Sequence, residues 1–294
     1  MKLIAYYPGT QGVPERAERN WKEHYLNEGL YYSHRSTDYQ KSNYPSTLHY
    51  HDYYELVVYV HGDVHYICES ENYSPQPADV ILVPPGLLHM SMMNGEATHY
   101  ERHVFYLYPD ALDAIGASSL TEFLRGEEKR AGMSVLCVEN KNELLGLLAK
   151  LEQSLDEQTP AEAALALSHL LQIFYALNRA STRQYQDSAI LPQSVLEIQR
   201  YIDENFAEIR SVSDIARHFY YSREYMSRLF KQYFNTTVAD YLRKRRVAYS
   251  CALMTQGVPL GDVCFAAGFE NLSTFIRSFR AVTGMTPSAY RSKH

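Results

Sequence analysis

Residues 222–234 read SREYMSRLFKQYF and residues 271–283 read NLSTFIRSFRAVT. In each stretch an apolar side chain returns at every third or fourth position, the spacing of an amphipathic helix. The two lie 49 positions apart: Arg228 recurs as Arg277, Phe230 as Phe279, Thr237 as Thr286 and Tyr241 as Tyr290. Ahead of them Asp214-Ile215-Ala216 recurs as Asp262-Val263-Cys264 at an offset of 48, so the second turn is one residue longer. A repeat of this length, made of two short helices and a tight turn, predicts a tandem helix-turn-helix, a unit that lays its second helix on DNA.

Working outward, a lead helix is expected from Gln193 to Phe206, and Ser211-Val212-Ser213-Asp214 has the form of a capping box opening a helix that ends at Phe219. Ser222 caps the next, from Arg223 to Phe234, and Asn235 follows where a left-handed residue is needed. Met226, Leu229, Phe230 and Tyr233 share its apolar face, which turns Ser222, Arg223, Glu224, Ser227, Arg228 and Lys231 outward as DNA contacts. Arg228 is the foremost base reader, because a guanidinium can bond guanine O6 and N7 together. Glu224 could accept from cytosine N4 or pair with Arg228 one turn on. In the second copy Gly268 ends the first helix and Asn271 caps the next. Leu272, Ser273, Ile276 and Arg277 face out there, while Phe275, Ser278 and Phe279 turn in. Between the copies a helix from Val238 to Thr255 carries Arg243, Lys244, Arg245 and Arg246. At about 1.5 Å per residue it spans roughly 27 Å, close to the roughly 34 Å between successive major grooves on one DNA face.

The charge distribution agrees. The 294-residue chain carries a net charge of −6, which looks wrong for a nucleic-acid partner. Residues 192 to 294 nevertheless hold 14 Lys and Arg against 9 Asp and Glu, and residues 1 to 191 hold 14 against 25. The positive charge therefore sits with the repeat, as counterion release at phosphates requires. Cys68, Cys137, Cys251 and Cys264 are widely spaced in mostly apolar surroundings, the pattern of buried thiols in a reducing compartment. No apolar run approaches a membrane span, and the opening MKLIAYYPGTQGVPERAERN lacks the apolar centre of a signal peptide, so a cytoplasmic location without membrane contact is expected.

The first half has another texture. Up to about residue 110, Tyr, Val, His and Pro alternate with turn signals such as His61-Gly62-Asp63 and Pro84-Pro85-Gly86, which predicts short strands in a barrel or sandwich. Expected strands are Tyr53–Val60, apolar on both faces and therefore central, Val80–Val83 and His103–Tyr108. Two helices follow, Asn142–Leu155 with leucines at 144, 148, 151 and 155, and Ala161–Asn178 with Pro160 in its first turn. Either could cover the barrel or pair with a second subunit, with covering favoured for the second helix and dimerisation for the first. The polar run Ser181–Leu191 reads as a linker. The expected architecture is α+β in two domains: a β-barrel with a helical hairpin over residues 1–180 (helices about 112–178), a linker over 181–191, and an all-α tandem helix-turn-helix over 192–294.

Within the barrel, His49, His51 and Glu55 occupy odd positions and on an extended strand would face one cavity with Tyr53 and Tyr59, while His89 follows the Pro-Pro-Gly turn. Such a set could hold a divalent transition metal, could hold a small molecule without metal, or could be a satisfied structural cluster. Glu55, beside Leu56-Val57-Val58, needs at least one histidine partner if buried. The tyrosines Tyr44, Tyr50, Tyr53, Tyr54, Tyr59 and Tyr66 could provide flat faces for a sugar, or simply fill strands.

Two resemblances attach to these residues. DVCFAAGFENLSTFIRSFRAVTGMTPSAYR, with closing elements Gly284, Pro287, Tyr290 and Arg291, resembles the signature of the AraC/XylS family of bacterial transcription regulators, and SREYMSRLFKQYF with YLRKRRV resembles its first copy. Asn235 stands for the usual glycine, and Ser250 and Cys264 for small alanines. His49-x-His51, Glu55, Gly62 and Pro84-x-Gly86-x-x-His89 resemble the two cupin motifs, with Asn43 and Ala78 in place of glycines and Met93 in place of asparagine. The resemblance implies a cupin-like (double-stranded β-helix) sensing domain and a regulator whose single chain reads two successive grooves. The partners it implies are an operator duplex, a small-molecule effector with a sugar as the precedent, a second copy of the chain, and RNA polymerase. It implies activation of catabolic, carbohydrate-related genes, and no enzyme. The alternatives are a metal-dependent cupin enzyme carrying a DNA-binding tail and a regulator without any small-molecule ligand.

Overall fold

A computed structural model describes residues 20–27, 29–40, 48–69, 71–94, 97–124, 132–157, 159–183 and 191–293. The opening segment, Asn43 and Tyr44 lie outside these. The first half forms strands β1 (Asn20–Asn27), β2 (Leu30–Gln40), β3 (Tyr54–His61), β4 (Val64–Cys68), β5 (Glu71–Tyr73), β6 (Val80–Val83), β7 (His89–Met93), β8 (Ala97–Leu107), β9 (Ser134–Cys137) and β10 (Ser181–Arg183). They make two antiparallel sheets, β1-β2-β8-β3-β6-β9-β10 and β5-β4-β7. Tyr31, Val57, Tyr59, Tyr66, Tyr100, Val104 and Tyr106 fill the space between the sheets. Strand β3 lies between β8 and β6, and both its faces are covered: Val57 and Tyr59 point into the barrel, Leu56 and Val58 under helices. This is why its sequence shows no polar alternation.

Helices α1 (Lys141–Glu157) and α2 (Pro160–Asn178) close the outer face of the larger sheet. Thr159 caps α2 by accepting from Glu162 N, and Pro160 occupies the first turn. Leu144, Leu148 and Leu151 of α1, and Leu170, Ile173, Phe174 and Leu177 of α2, pack on Leu56, Val58 and Phe105. Each such side chain contributes about 1.5–3 kcal/mol by leaving water. Helix α2 covers the barrel as expected, and α1, for which dimerisation was favoured, covers it as well. The sheet takes up the leucine stripe of α1, and Asn142, Glu143, Lys150 and Gln153 are left outside. Helix α2 buries one face and still exposes Leu165 (46%), Leu167 and Tyr175 (55%). The expected linker also begins later: Ser181–Arg183 pair with Val135–Cys137, and Arg183 is tied at 3.3 Å to the buried Asp79 and at 3.2 Å to Tyr73. A polar edge strand of three residues carries no period that would separate it from a loop. Residues 184–190 lie outside the described residues.

The second half is helical: α3 (Gln193–Asn205), α4 (Val212–His218), α5 (Arg223–Phe234), α6 (Val238–Thr255), α7 (Leu260–Ala266), α8 (Leu272–Thr283) and α9 (Pro287–Lys293). Ser211, Ser222, Thr237 and Asn271 each accept from a backbone N–H three residues on, and Asn235 leaves α5 in the left-handed region at φ 49°. Phe230, Phe234, Tyr241, Phe275, Phe279 and Tyr290, the repeating aromatics of the sequence, are all buried in one core. That core does not stop at the second half, since Leu48, Tyr50, Ile67, Leu88 and Met90 of the barrel belong to it. Cys68, Cys251 and Cys264 are buried free thiols and Cys137 is half-buried. Among the described residues no helix is long and apolar enough to cross a membrane.

Candidate functional site

On α5, Ser222, Arg223, Glu224, Arg228 and Lys231 are exposed and Ser227 is half-exposed, while Met226, Phe230 and Phe234 anchor the opposite face. The Arg228 guanidinium lies over the Tyr225 ring at 5.7 Å. On α8, Asn271, Leu272, Ser273, Ile276 and Arg277 are exposed, and a shallow open hollow runs along Ser273, Ile276, Arg277, Arg280 and Ala281. Helix α6 packs against α5 on one side and against α7 and α8 on the other, so a single rigid element carries both outward faces.

Of the basic run on α6 only Arg243 is exposed, and the other three cations are engaged within the protein. Arg243 pairs with Asp240, and Lys244 Nζ donates to Leu48 O at 2.7 Å. Arg245 stands 3.3 Å from Glu69 and 3.6 Å from Asp203, and Arg246 donates to the carbonyls of Phe206 and Ile209. Part of the positive excess read from the sequence is therefore spent on holding the two halves together.

The histidine cluster forms, but not on one strand. Strand β3 begins at Tyr54, and His49 instead joins the other sheet through a two-bond bridge to His89, with N···O distances of 3.0 and 2.8 Å. His51 Nε2 and His89 Nε2 both meet Glu55 Oε2, at 3.1 and 3.0 Å, so Glu55 has two histidine partners. Their Nδ1 atoms face the carbonyls of Tyr53 and Leu87 at 2.8 and 2.9 Å. A carbonyl only accepts, so each Nδ1 carries the proton and each Nε2 presents a lone pair unless a further proton is bound. A carboxylate set between two such lone pairs favours a cation, either a proton on an imidazole or a metal ion. Burial opposes ionisation of Glu55, but the bonds from His51 and His89 outweigh it and hold its carboxyl well below the usual range. Burial pushes the His51 imidazole down, against its bond to Glu55.

The donor atoms of His49, Glu55 and His89 lie within 4.8 Å of one another, a set that fits a divalent transition metal. His51 lies outside that converging set; its ring stacks on Tyr53 at 4.2 Å. Tyr59 sits four residues along β3 from Glu55, facing the interior, and its hydroxyl donates to Gly62 O. A second group, His34, His103 and Glu152, also brings donors together. Its two imidazoles are stacked at 4.3 Å and 16°, so their in-plane lone pairs do not converge, and the Lys22 ammonium already meets Glu152 at 2.6 Å. That group latches α1 to the sheet.

The barrel interior holds two charges that the sequence reading missed, Arg35 on β2 and Arg102 on β8, buried and directly opposite in the ladder. Arg35 donates to Ser33 Oγ and Tyr106 OH, and Arg102 lies over the Tyr100 ring at 4.0 Å. The alternation Tyr31, Ser33, Arg35, Thr37, Tyr39 is the signal that would have placed them on one inward face.

Comparison with known proteins falls into the same two parts. Residues 31–174 match the family model of an AraC-like ligand binding domain and residues 215–293 that of a helix-turn-helix domain. The chain is 30% identical over 100 residues to the regulatory protein SoxS of Escherichia coli, covering 34% of this chain and 94% of that one. It is 25% identical over 230 residues to the arabinose operon regulatory protein of Salmonella typhimurium, covering 76% and 78%. It is 29% identical over 109 residues to the HTH-type transcriptional activator AarP of Providencia stuartii, covering 37% and 77%.

Proposed function

The chain belongs to the AraC family of DNA-binding transcription regulators with a ligand-binding domain, and from that premise we propose that it activates catabolic, carbohydrate-related genes when a small molecule occupies its barrel. The likeness to an arabinose operon regulator and to a named activator supports the direction and the class of genes. In this reading α5 and α8 enter successive major grooves, with Arg228 and Arg277 reading bases. Two copies pair through the exposed apolar face of α2, and the bound dimer recruits RNA polymerase.

One observation carries the coupling. The segment from Leu48 to His51 alternates: Leu48 and Tyr50 are buried with the helical half, while His49 and His51 belong to the cluster with Glu55 and His89. Lys244 grips Leu48 O, and Tyr50 OH meets Cys251 Sγ at 3.7 Å, both on α6. An effector or metal that moves His49 and His51 thus displaces the contacts of the helix that carries both recognition faces. This gives the differential contact that a ligand-driven shift requires.

Operator binding by the Arg228→Ala and Arg277→Ala variants tests the recognition faces, each substitution being expected to cost about 1–3 kcal/mol. Unchanged sequence-specific affinity would sink that part. Elemental analysis of the purified chain beside a His49→Ala, Glu55→Gln variant tests the metal, and a wild type free of stoichiometric metal rejects it.

A further inference from the structure

The turns joining α4 to α5 and α7 to α8 are closed by the same two backbone bonds. Tyr220 N donates to Arg217 O at 3.2 Å and Tyr221 N to Ala216 O at 2.9 Å; Gly268 N donates to Phe265 O at 2.9 Å and Phe269 N to Cys264 O at 3.0 Å. The residue at the bend is left-handed in both, with φ 56° at Tyr220 and 80° at Gly268. Glycine reaches this conformation freely, and a residue bearing a bulky side chain pays steric strain for it. The second copy has no alternative, because a Cβ at Gly268 would lie 2.5 Å from Ala207 O. The first copy places a tyrosine there, and its side chain is 95% exposed. Packing does not account for that choice, since Phe219 and Tyr221 on either side already supply the aromatic contacts to the core.

We propose that Tyr220 is a DNA contact, its hydroxyl donating to a phosphate oxygen at the edge of the groove entered by α5. The proposal rests on α5 being a recognition helix. Tyr220 lies two residues before the cap Ser222, at the end of α5 that leads into the groove in this motif. Arg217 and His218, both exposed, precede it, so the turn offers several donors to one strand of backbone. Tyrosine hydroxyls are among the groups that fix a protein's register on phosphates without reading sequence. With glycine at the matching bend, the second copy lacks this anchor, and the two copies grip their grooves unequally.

The full-length wild type, Tyr220→Gly and Tyr220→Phe are compared by anisotropy titration on the duplex that the wild type selects from a random-sequence pool, with thermal unfolding in parallel. Tyr220→Gly is expected to raise Tm by about 2–4 °C through relief of the bend, while weakening binding about tenfold, the loss of one hydrogen bond to a charged acceptor. Tyr220→Phe is expected to weaken binding to a similar degree with Tm unchanged. The slope of affinity against salt stays that of the wild type in both, because no cation is removed. Wild-type affinity in either variant overturns the proposal, and so does a fall in Tm on Tyr220→Gly, which would make the ring structural. A wild type that selects no duplex overturns the recognition reading and this proposal with it. Weak binding by Arg228→Ala beside intact binding by both Tyr220 variants overturns this proposal alone.

Discussion

Glu55 shows how far single residues could be read. Its need for a histidine followed from burial of a carboxylate among Leu56, Val57 and Val58, and the His-x-His spacing supplied the candidates. That His49 would leave the strand and pair with His89 was not legible, because a one-residue bridge has no sequence period. Arg35 and Arg102 were missed for a different reason: the alternation of β2 was available, but two buried guanidiniums facing each other run against the usual solvation of charge. Backbone demands were legible where a glycine or asparagine stood, at Gly268 and Asn235, and invisible where a tyrosine did. Gly268 permits a direct check. Its φ of 80° and the Ala207 backbone 2.5 Å from any added Cβ predict that Gly268→Ala destabilises the protein, in contrast to substitution at an open bend. A loss of about 1–3 kcal/mol, the order of a residue held in a disallowed backbone region, is expected in denaturant titration. A midpoint equal to wild type would mean that the α7–α8 turn can move away from the Ala207 backbone.

Among elements, α5 and α6 were legible to their ends, the observed limits Arg223–Phe234 and Val238–Thr255 coinciding with those expected, and in the structure a side-chain hydroxyl caps the start of each. The helical hairpin was legible as helices but not in its division of labour. Leucine spacing says that a face is buried and does not say against what, and the sheet takes all of the stripe on α1 while leaving part of α2 bare. Strands β1 and β2 went unread because polar residues outnumber apolar ones in both, a composition that resembles loop as much as strand. The exposed Leu165, Leu167 and Tyr175 set apolar side chains on the outside of α2 beside the exposed Ser168 and Gln172, and the proposed dimer depends on them. Replacing Leu165 and Tyr175 by glutamate is expected to shift sedimentation equilibrium toward a single chain, with far-UV circular dichroism unchanged because both side chains already lie outside the core. The Leu148→Ala control, which empties a fully buried site on α1, should instead cost about 2–5 kcal/mol of stability. A double glutamate variant with wild-type mass in solution would move the dimer contact elsewhere.

At the scale of the molecule, the two halves are joined by apolar contacts around a buried charge group. Glu69 of the barrel and Asp203 of α3 flank Arg245 of α6, Tyr241 OH donates to Asp203 at 2.8 Å, and Gln199 reaches both Glu69 O and Tyr241 OH. Two carboxylates share one guanidinium here, so the group is short of positive charge and one carboxyl retains its proton. Burial first, and Glu69 second, raise Asp203 to about 8 against the pull of Arg245; burial likewise raises Glu69. The folded protein therefore holds a proton on Asp203 that an unfolded chain has released above its ordinary value of 3.8. Protonation favours the fold, so the contribution from Asp203 is greatest at low pH, falls as pH rises from about 4 to about 8, and levels off beyond. Asp203→Asn keeps an acceptor for Tyr241 and removes the titration. Relative to that variant, the wild-type Tm is expected to decline between pH 5 and 8, the groups not coupled to Asp203 cancelling in the difference. Parallel curves would show that the carboxylate is ionised throughout and that Arg245 satisfies both acids. A decline confined to the wild type would place the retained proton at the join between the two halves. The barrel segment bearing His49 and His51 touches the same helix, so the response to effector should weaken over the same range.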